Sequence, residues 1–312
     1  MARMEKARPA LTGCRVLITG GSSGIGLASA RALAAEGAHL ALLARGDEAL
    51  EQAAASIGPR ARVIPADVTD AGGLLRAVDE AAAALGGLDA VVANAGAAAY
   101  GPFTEMGPGE FLRTVDITLA GALNTAHAAL PHLRRTHGTL VFVGSVAGRV
   151  AVPWLAAYAA AKHGVRGFAR SLRAELRALG VPVEVALVAP GPVDTPFWRH
   201  ASTTDGRLPP RVAGAYRVED VAAEVVRALE RPRVERTVGG LMAAWVLFDA
   251  VAPRVALRLT GAGARLGWRR REQRPADETN ALVGPVGSAD VDGGLPARPS
   301  VLRKLRDRTL SP

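Results

Sequence analysis

The sequence has little cysteine, no long apolar run and no obvious targeting segment, and each shortage excludes a class of protein. The one cysteine, Cys14, excludes a disulfide framework and a zinc site built from cysteines. The apolar run from Val238 to Phe248 has 11 residues, fewer than the roughly 20 that a membrane-spanning helix needs. The basic stretch at residues 1–13 lacks the apolar segment of a signal peptide. We therefore expect a cytoplasmic protein.

Metal and nucleic-acid sites are also missing from the sequence pattern. The six histidines include no pair spaced i, i+4, so we predict no metal site. The formal net charge is +9, but residues 1–198 hold 18 basic and 16 acidic groups, whereas residues 199–312 hold 20 and 13. No helix-turn-helix, zinc or aromatic-platform motif accompanies this C-terminal excess, so we predict no nucleic-acid partner.

The 49% of residues that are apolar are arranged in a regular pattern. Short apolar runs at residues 16–18, 39–43, 62–64, 90–93, 139–143 and 183–188 alternate with segments of helical length, the longest at about 109–135. Strands that are apolar throughout and separated by helices indicate a parallel sheet covered on both faces. The sequence therefore predicts an α/β protein with a doubly wound parallel sheet, a Rossmann fold, in a single domain.

A glycine-rich turn lies between the first predicted strand and the first predicted helix. In the segment from Thr19 to Gly26, Gly20 permits a tight turn, Gly24 lets the backbone approach a pyrophosphate, and Gly26 lets helix and strand pack closely. The second strand ends in Arg45 without a carboxylate. Because an arginine there pairs with the 2′-phosphate of NADP, we expect NADP, with NAD as the less favoured cofactor.

A candidate catalytic group lies further along the chain. Tyr158 and Lys162 are spaced i, i+4 on a predicted helix, so the ammonium can lie near the phenol and lower its pKa. Ser145 follows the fifth strand at its carboxyl end, where doubly wound sheets bind ligands. Its hydroxyl can hold a substrate carbonyl against Tyr158.

These motifs together resemble the classical short-chain dehydrogenases/reductases over residues 10–235. The matching segments, in family order, are Thr19-Gly-Gly-Ser22-Ser23-Gly24-Ile25-Gly26, Asp67-Val68, Asn94-Ala95-Gly96, Gly144-Ser145, Tyr158-x3-Lys162 and Pro190-Gly191-Pro-Val193-Asp-Thr195. The resemblance implies an NAD(P)-dependent oxidoreductase that acts on a carbonyl/alcohol pair and forms a dimer or tetramer.

The resemblance also implies a role for each matching residue. Tyr158 would be the acid–base and Ser145 would orient the substrate, while Lys162 would lower the pKa of Tyr158 and bind the nicotinamide ribose. Asp67 and Val68 would contact adenine, and Asn94 would support the sheet beside the cofactor. The turn from Pro190 to Thr195 would hold the carboxamide end.

Two features depart from the family pattern. Thr118 occupies the position of the usual fourth catalytic residue, an asparagine, which puts the proton relay from Lys162 in doubt. This leaves a non-catalytic NADP(H)-binding regulator as an alternative to an enzyme. The second departure is the C-terminus, which divides the chain into a catalytic domain at residues 1–236, a helical extension at 237–271 and a tail at 272–312 whose composition predicts disorder.

The extension has two interpretations. Segment 238–259 reads as an amphipathic helix at the inner membrane surface, with Arg258 to Arg271 facing anionic headgroups. It also reads as a helix packed over the substrate pocket or against a partner subunit. Apolar side chains near the predicted pocket, including Tyr100, Trp154 and Phe197, favour a hydrophobic carbonyl substrate such as a lipid, steroid or polyketide-like ketone.

Overall fold

The computed structural model describes residues 11–210, 214–269, 271–273, 280–285 and 289–293. The strands found there are β1 (Arg15–Thr19), β2 (His39–Ala44), β3 (Ala61–Pro65), β4 (Ala90–Ala93), β5 (Ala99–Tyr100), β6 (Thr139–Val143), β7 (Glu184–Pro190), β8 (Ser202–Thr203) and β9 (Arg236–Val238). The α-helices are α1 (Gly24–Ala35), α2 (Asp47–Ile57), α3 (Ala71–Leu85), α4 (Pro108–Val115), α5 (Gly121–Thr136), α6 (Ala156–Ala178), α7 (Val218–Glu230), α8 (Gly240–Val251) and α9 (Pro253–Trp268).

The main sheet is parallel and has the strand order β3-β2-β1-β4-β6-β7-β9. Alternate residues of each strand enter opposite cores: Leu17 packs on the side of α3, α5 and α6, whereas Val16 and Ile18 pack on the side of α1, α2 and α7. Because both faces are covered, the strands are apolar throughout. The prediction of a doubly wound α/β fold is confirmed.

The order in which successive strands are added to the sheet reverses between β1 and β4, which lie side by side and parallel although two strands separate them in sequence. In open parallel sheets, ligands bind beyond the carboxyl ends of the strands at such a switch point. The glycine-rich turn after β1 and the segment Asn94-Ala95-Gly96 after β4 both lie there. The sheet order therefore brings together the two sequence motifs that flank the switch point.

Two elements differ from the sequence-based expectation. The helical region expected at 109–135 consists of α4 and α5 joined by a π-helical turn at Asp116–Ala120. The segment Arg236–Val238, placed at the end of the catalytic domain and the start of the extension, is the edge strand β9, paired with β7. Three residues with a single buried side chain, Val238, give too short a signal for periodicity to identify a strand.

The extension is not one helix over 238–259 but two, α8 and α9. Pro253 lacks a backbone N–H and disfavours the helical conformation of Ala252, which adopts φ −130° and ψ 58°, so α8 ends before it and α9 begins at it. No helix within the described ranges is long and apolar enough to cross a membrane. Arg270, part of the predicted headgroup-facing stretch, lies outside the described residues.

Parts of the tail for which composition predicts disorder pack against the two cores that cover the sheet. We call residues 280–285 and 289–293 the C-terminal strap. Leu282 is 6% exposed in one core, and Val291 packs partly buried against the other. Residues 274–279, 286–288 and 294–312 of the predicted tail, and residues 1–10 of the basic N-terminal stretch, lie outside the described residues.

Candidate active site

The glycine-rich turn is shaped by close backbone approach. Gly20 and Gly24 have φ of +65° and +50°, in the left-handed region that favours glycine. A Cβ on Gly26 would lie 2.0 Å from the carbonyl oxygen of Gly20, so no other residue fits there. Asn94 Nδ2 donates to the carbonyl oxygens of Thr19 (3.0 Å) and Gly20 (3.1 Å) and ties β4 to the turn. The N-terminus of α1 therefore opens toward the switch point, as a phosphate site requires.

Arg45 and Asp67 follow β2 and β3 at the same edge of the sheet. Arg45 is half-buried, and its guanidinium points into the groove beside the turn. Asp67 Oδ1 accepts hydrogen bonds from Thr69 N (2.9 Å) and Thr69 Oγ1 (2.8 Å), and its Oδ2 pairs with Arg113 at 3.2 Å. These bonds orient the segment that carries Val68, which is buried.

Ser145, Tyr158 and Lys162 lie together at the carboxyl end of β6. Ser145 begins a short 3-10 turn, and its Oγ accepts a hydrogen bond from Ala147 N at 3.1 Å while the Ser145 hydroxyl also pairs with the Tyr158 phenol. Lys162 Nζ donates to the carbonyl oxygen of Val143 at 2.8 Å and lies 5.7 Å from the centroid of the Tyr158 ring. Tyr158 and Lys162 are 8% and 5% exposed.

Burial shifts the pKa values of both groups toward their neutral forms. It raises the pKa of Tyr158 to about 12, although the hydrogen bond with Ser145 acts in the opposite direction. It lowers the pKa of Lys162 to about 8. Desolvation thus dominates the pKa of Tyr158 in this state of the site, and the expected lowering of that pKa by Lys162 stays a prediction. Near neutral pH the phenol is protonated and the amine is mostly charged.

Thr118 lies in the π-helical turn and does not line the cavity. Its Oγ1 donates to the carbonyl oxygen of Ala97 at 2.9 Å and accepts from Ala97 N at 3.1 Å, and the side chain is 1% exposed. The one donor and one of the two acceptor lone pairs of the hydroxyl are thus used by the segment after β4. A Cβ built on Gly96 would lie 3.6 Å from Thr118 Oγ1 and 3.8 Å from Lys162 Nζ, so Gly96 lies between the two side chains.

The turn that begins at Pro190, where β7 ends, lies across the groove from the glycine-rich turn. Val193 forms an isolated parallel β-bridge with Tyr216. The Cβ of Thr195 lies 3.5 Å from the position that a Cβ on Gly24 would occupy. A Cβ on Gly191 would lie 2.5 Å from Met242 Cγ, so α8 packs directly on this turn.

One cavity joins these groups. Of the predicted site residues, only Gly26, which acts in packing, and Thr118 do not line it. The predicted residues that do line the cavity are Gly20, Ser22, Ser23, Gly24, Ile25, Arg45, Asp67, Val68, Asn94, Ala95, Gly96, Ser145, Tyr158, Lys162, Pro190, Gly191, Val193 and Thr195. Phe197, Trp198 and His200 also line it, as do Ala281 and Pro285 of the strap. Within the described part of the chain, no group of three or more His, Cys, Asp or Glu side chains is placed to hold a metal ion.

An aromatic wall adjoins Tyr158. The Tyr158 ring lies 5.5 Å from Phe197, and nearby Trp154 stacks on Trp268 at 4.7 Å. Trp268, at the end of α9, also stacks on Tyr100 at 5.9 Å. The Arg271 guanidinium lies 3.3 Å above the Trp268 ring and pairs with Asp205. Sequence reasoning missed Trp268, because no local pattern indicates that α9 returns to the site.

Comparison with known proteins settles the family. A family model described as short chain dehydrogenase matches residues 15–206, which is more than half of the chain. The chain belongs to the short-chain dehydrogenase family. The relatives of this short-chain dehydrogenase include an uncharacterized oxidoreductase, YxnA, of Bacillus subtilis (strain 168), 32% identical over 250 residues, which cover 78% of this chain and 70% of that protein.

Solved structures share the fold of this chain. The alcohol dehydrogenase from the archaeon Thermococcus sibiricus, complexed with 5-hydroxy-NADP, has a TM-score of 0.63 and 28% identity, covering 72% of this chain and 96% of that one. A short-chain dehydrogenase/reductase from Burkholderia phymatum, in complex with NAD, shares the fold with a TM-score of 0.72 and 22% identity, covering 79% and 96%. The short-chain dehydrogenase described here is thus an oxidoreductase with a nucleotide-binding Rossmann fold.

Proposed function

We propose that this short-chain dehydrogenase interconverts a hydrophobic ketone or aldehyde and its alcohol with NADP(H) as the cofactor. The observation that carries the proposal is the convergence of Ser145, Tyr158 and Lys162 on the cavity that also holds the glycine-rich turn and Arg45. A nucleotide-binding protein without catalysis has no need for a buried phenol, hydroxyl and ammonium at the end of that cavity.

The residues of the cavity fit a nicotinamide dinucleotide. Because Gly20 and Gly24 have no side chains, the backbone of this turn can approach a pyrophosphate. A Cβ at position 20 would lie 2.9 Å from Asn94 Nδ2 and would not fit in the turn. The ammonium of Lys162 and the turn from Pro190 to Thr195 lie toward the catalytic end, and Asp67 and Val68 lie toward the other. When bound, the nicotinamide supplies the hydride in reduction and accepts it in oxidation.

In the reductive direction, Tyr158 is the proton donor. Its phenol is protonated near neutral pH, since its pKa is raised to about 12, and Oη donates its proton to the oxygen of the substrate carbonyl. Ser145 Oγ provides a second donor to that oxygen and holds it against Tyr158. The Lys162 ammonium, fixed on the Val143 carbonyl, stabilises the phenolate that remains after proton transfer.

The preference for NADP rests on Arg45. It is the residue that follows β2 at the ribose position, and its planar guanidinium offers paired donors to a phosphate dianion. No carboxylate precedes it at the end of β2, where a 2′-hydroxyl would need an acceptor.

The substrate class follows from the aromatic wall. Phe197, Trp154 and Trp268 are partly buried around Tyr158 and form an apolar surface beside the reacting oxygen. Burying an apolar substrate against these rings is favourable at roughly 25 cal/mol per Å² of area removed from water.

The partner surface proposed for α8 and α9 is an anionic membrane. Four exposed arginines and a single acidic residue, Asp249, occur in residues 240–269: Arg254, Arg258, Arg265 and Arg269. Large apolar side chains are exposed beside them, including Leu247 (66%) and Val251 (78%). Apolar side chains bordered by arginines match the acyl boundary and headgroups of an anionic leaflet.

The decisive experiment is an NADPH-consumption assay over a panel of long-chain aliphatic, steroid and polyketide-like ketones, with short polar aldehydes as the comparison. We expect turnover with at least one apolar ketone and higher kcat/KM for NADPH than for NADH. Binding of NADPH without turnover of any carbonyl, and without oxidation of the matching alcohols, would instead support the regulatory alternative.

A further inference from the structure

The C-terminal strap lies inside the groove that a dinucleotide needs. Arg45 Nη2 donates to the carbonyl oxygens of Ala281 (2.6 Å) and Gly284 (2.8 Å). The strap also reaches the residue after Arg45, since a Cβ on Gly46 would lie 2.8 Å from Pro285 Cβ. One nitrogen of the guanidinium that the proposed function allots to a 2′-phosphate, Nη2, is thus engaged by two backbone carbonyls of the same chain.

A second contact lies at the start of α1. Gly24 N, the first helical N–H, donates to the carbonyl oxygen of Asp290 at 2.8 Å. This is the end of the helix at which a pyrophosphate binds in a Rossmann fold. Further along, Gly293 N donates to Asp194 Oδ1 at 3.0 Å, within the turn from Pro190 to Thr195. The strap therefore contacts three positions along the groove.

The first segment of the strap, residues 280–285, has one buried apolar side chain. Leu282 is 6% exposed and packs into the core on the side of α3, α5 and α6, and Ala281 N donates to the carbonyl oxygen of His200 at 2.9 Å. The next residue, Val283, is 85% exposed. Anchoring of residues 280–285 therefore depends chiefly on Leu282, whereas Val291 packs against the other core from the second segment of the strap.

The space that remains is small. With the strap in place, the cavity encloses about 200 Å³. Pockets for ligands of drug size enclose roughly 300–1,000 Å³, and a dinucleotide is larger than most such ligands. The strap and the adenosine-phosphate half of the cofactor therefore exclude each other.

We propose that the C-terminal strap is an intramolecular competitor of the cofactor, which must leave the groove before a dinucleotide binds. Competition at Gly24 needs only a dinucleotide, whereas competition at Arg45 rests on the proposed preference for NADP. The apparent dissociation constant then equals the intrinsic one divided by the fraction of molecules with the strap open. A strap closed in nine molecules of ten raises the apparent Kd about tenfold.

The test uses the full-length chain with Leu282→Ser and the matched control Val283→Ser. Dissociation constants for NADPH, NADH and adenosine 2′,5′-bisphosphate are measured by calorimetry, with thermal unfolding confirming that each variant is folded. We expect Leu282→Ser to lower the Kd for all three ligands by about fivefold or more, and Val283→Ser to leave them unchanged. Equal Kd values in all three proteins would overturn the proposal.

Hydrogen exchange of the unmodified protein gives an independent readout. NADPH at saturation is expected to speed amide exchange in residues 280–285. Slower exchange would mean that the strap closes over the bound cofactor, which contradicts competition. Neither measurement depends on turnover. Failure of the NADP preference alone would appear as NADH binding at least as tightly as NADPH in every variant, while Leu282→Ser still tightened both.

Discussion

The exposure of large apolar side chains differs between residues 11–238, which we call the body, and the two C-terminal helices α8 and α9, which form the extension. Among the described residues 11–210 and 214–238, large exposed apolar side chains are confined to five scattered positions, and both sheet faces are covered. In the much shorter α8 and α9 there are eight, and each helix has a single buried residue, Val246 and Ala256. The described part of the body buries most of its large apolar side chains, whereas the extension exposes an apolar surface of the kind that marks binding sites, which is consistent with the partner surface proposed for it.

Polar groups show the same contrast. At the carboxyl end of the sheet, Asn94, Thr118 and Lys162 each donate a hydrogen bond to a backbone carbonyl at 3.1 Å or less. On α9, Arg254, Arg258 and Arg265 are exposed. The hydrogen-bonded polar groups suit a reaction that requires a single geometry, and the exposed arginines suit a contact that tolerates many side-chain conformations. Substitutions in the body should therefore change chemistry, and substitutions in the extension should change partners.

The largest effect expected in the body is that of Tyr158→Phe. Phenylalanine keeps the ring contact with Phe197 but removes the proton donor. Because general acid catalysis contributes about 10²–10⁴-fold, kcat should fall by at least about a hundredfold. Steady-state kinetics with the best substrate of the carbonyl panel measure this, and the Kd for NADPH should stay within about twofold. Retained turnover would remove Tyr158 from the proposed mechanism.

Arg45→Ala tests the opposite end of the same cavity and should have the next largest effect. Hydrogen bonds to a charged group contribute about 1.5–3 kcal/mol, so the preference for NADPH over NADH should fall about tenfold or more. The ratio of the two Kd values is the right measurement, because Arg45 also binds the strap and its loss affects both ligands through the strap equally.

Arg60→Ala is the matched control for Arg45→Ala, since Arg60 is exposed just before β3, at the end of that strand away from the cavity. It removes one positive charge without touching the groove and should leave the ratio unchanged. An equal fall in both variants would assign the preference to net charge instead of the guanidinium at the end of β2.

Sequence alone predicts the body well and the C-terminal third poorly, for a physical reason. Gly20, Gly26 and Asn94 act through contacts that the strand–turn–helix order fixes locally, so spacing identifies them. Trp268 and Leu282 reach the site through contacts with residues more than a hundred positions away in the chain. Neither periodicity nor composition encodes where such a segment returns, and composition alone predicts disorder around Leu282.

Introducing negative charge should weaken membrane binding when it is placed in the extension but not when it is placed in the body. The double variant Leu247→Asp/Val251→Asp places two carboxylates among exposed apolar side chains of α8, and should lower binding to vesicles of phosphatidylglycerol and phosphatidylcholine about tenfold. Flotation at low salt measures the bound fraction. Leu179→Asp, on an equally exposed leucine (68%) of the body, is the control and should bind as the unmodified protein does.

Two results would contradict the membrane assignment of α8 and α9. One is equal flotation of all three proteins. The other is a change of oligomeric state in the double variant, measured by light scattering, without a change in flotation. That second result would mean that another copy of the chain covers the apolar side chains of the extension.

Thr118 should give the smallest effect on turnover, although it occupies the position of a catalytic residue in the family pattern. Its hydroxyl bonds both the N–H and the carbonyl oxygen of Ala97, so Thr118→Val leaves two buried backbone groups without their partner. The free energy of unfolding should fall by about 1–3 kcal/mol, measured by denaturant titration, while Thr118→Ser keeps both bonds and most of the stability.

Because Thr118 does not line the cavity, kcat of the serine variant should stay within about tenfold of the original. A greater loss of kcat in Thr118→Ser at full stability would mean that the threonine methyl group positions Lys162 through Gly96. Apolar contacts would then matter for function in the body as well as in the extension.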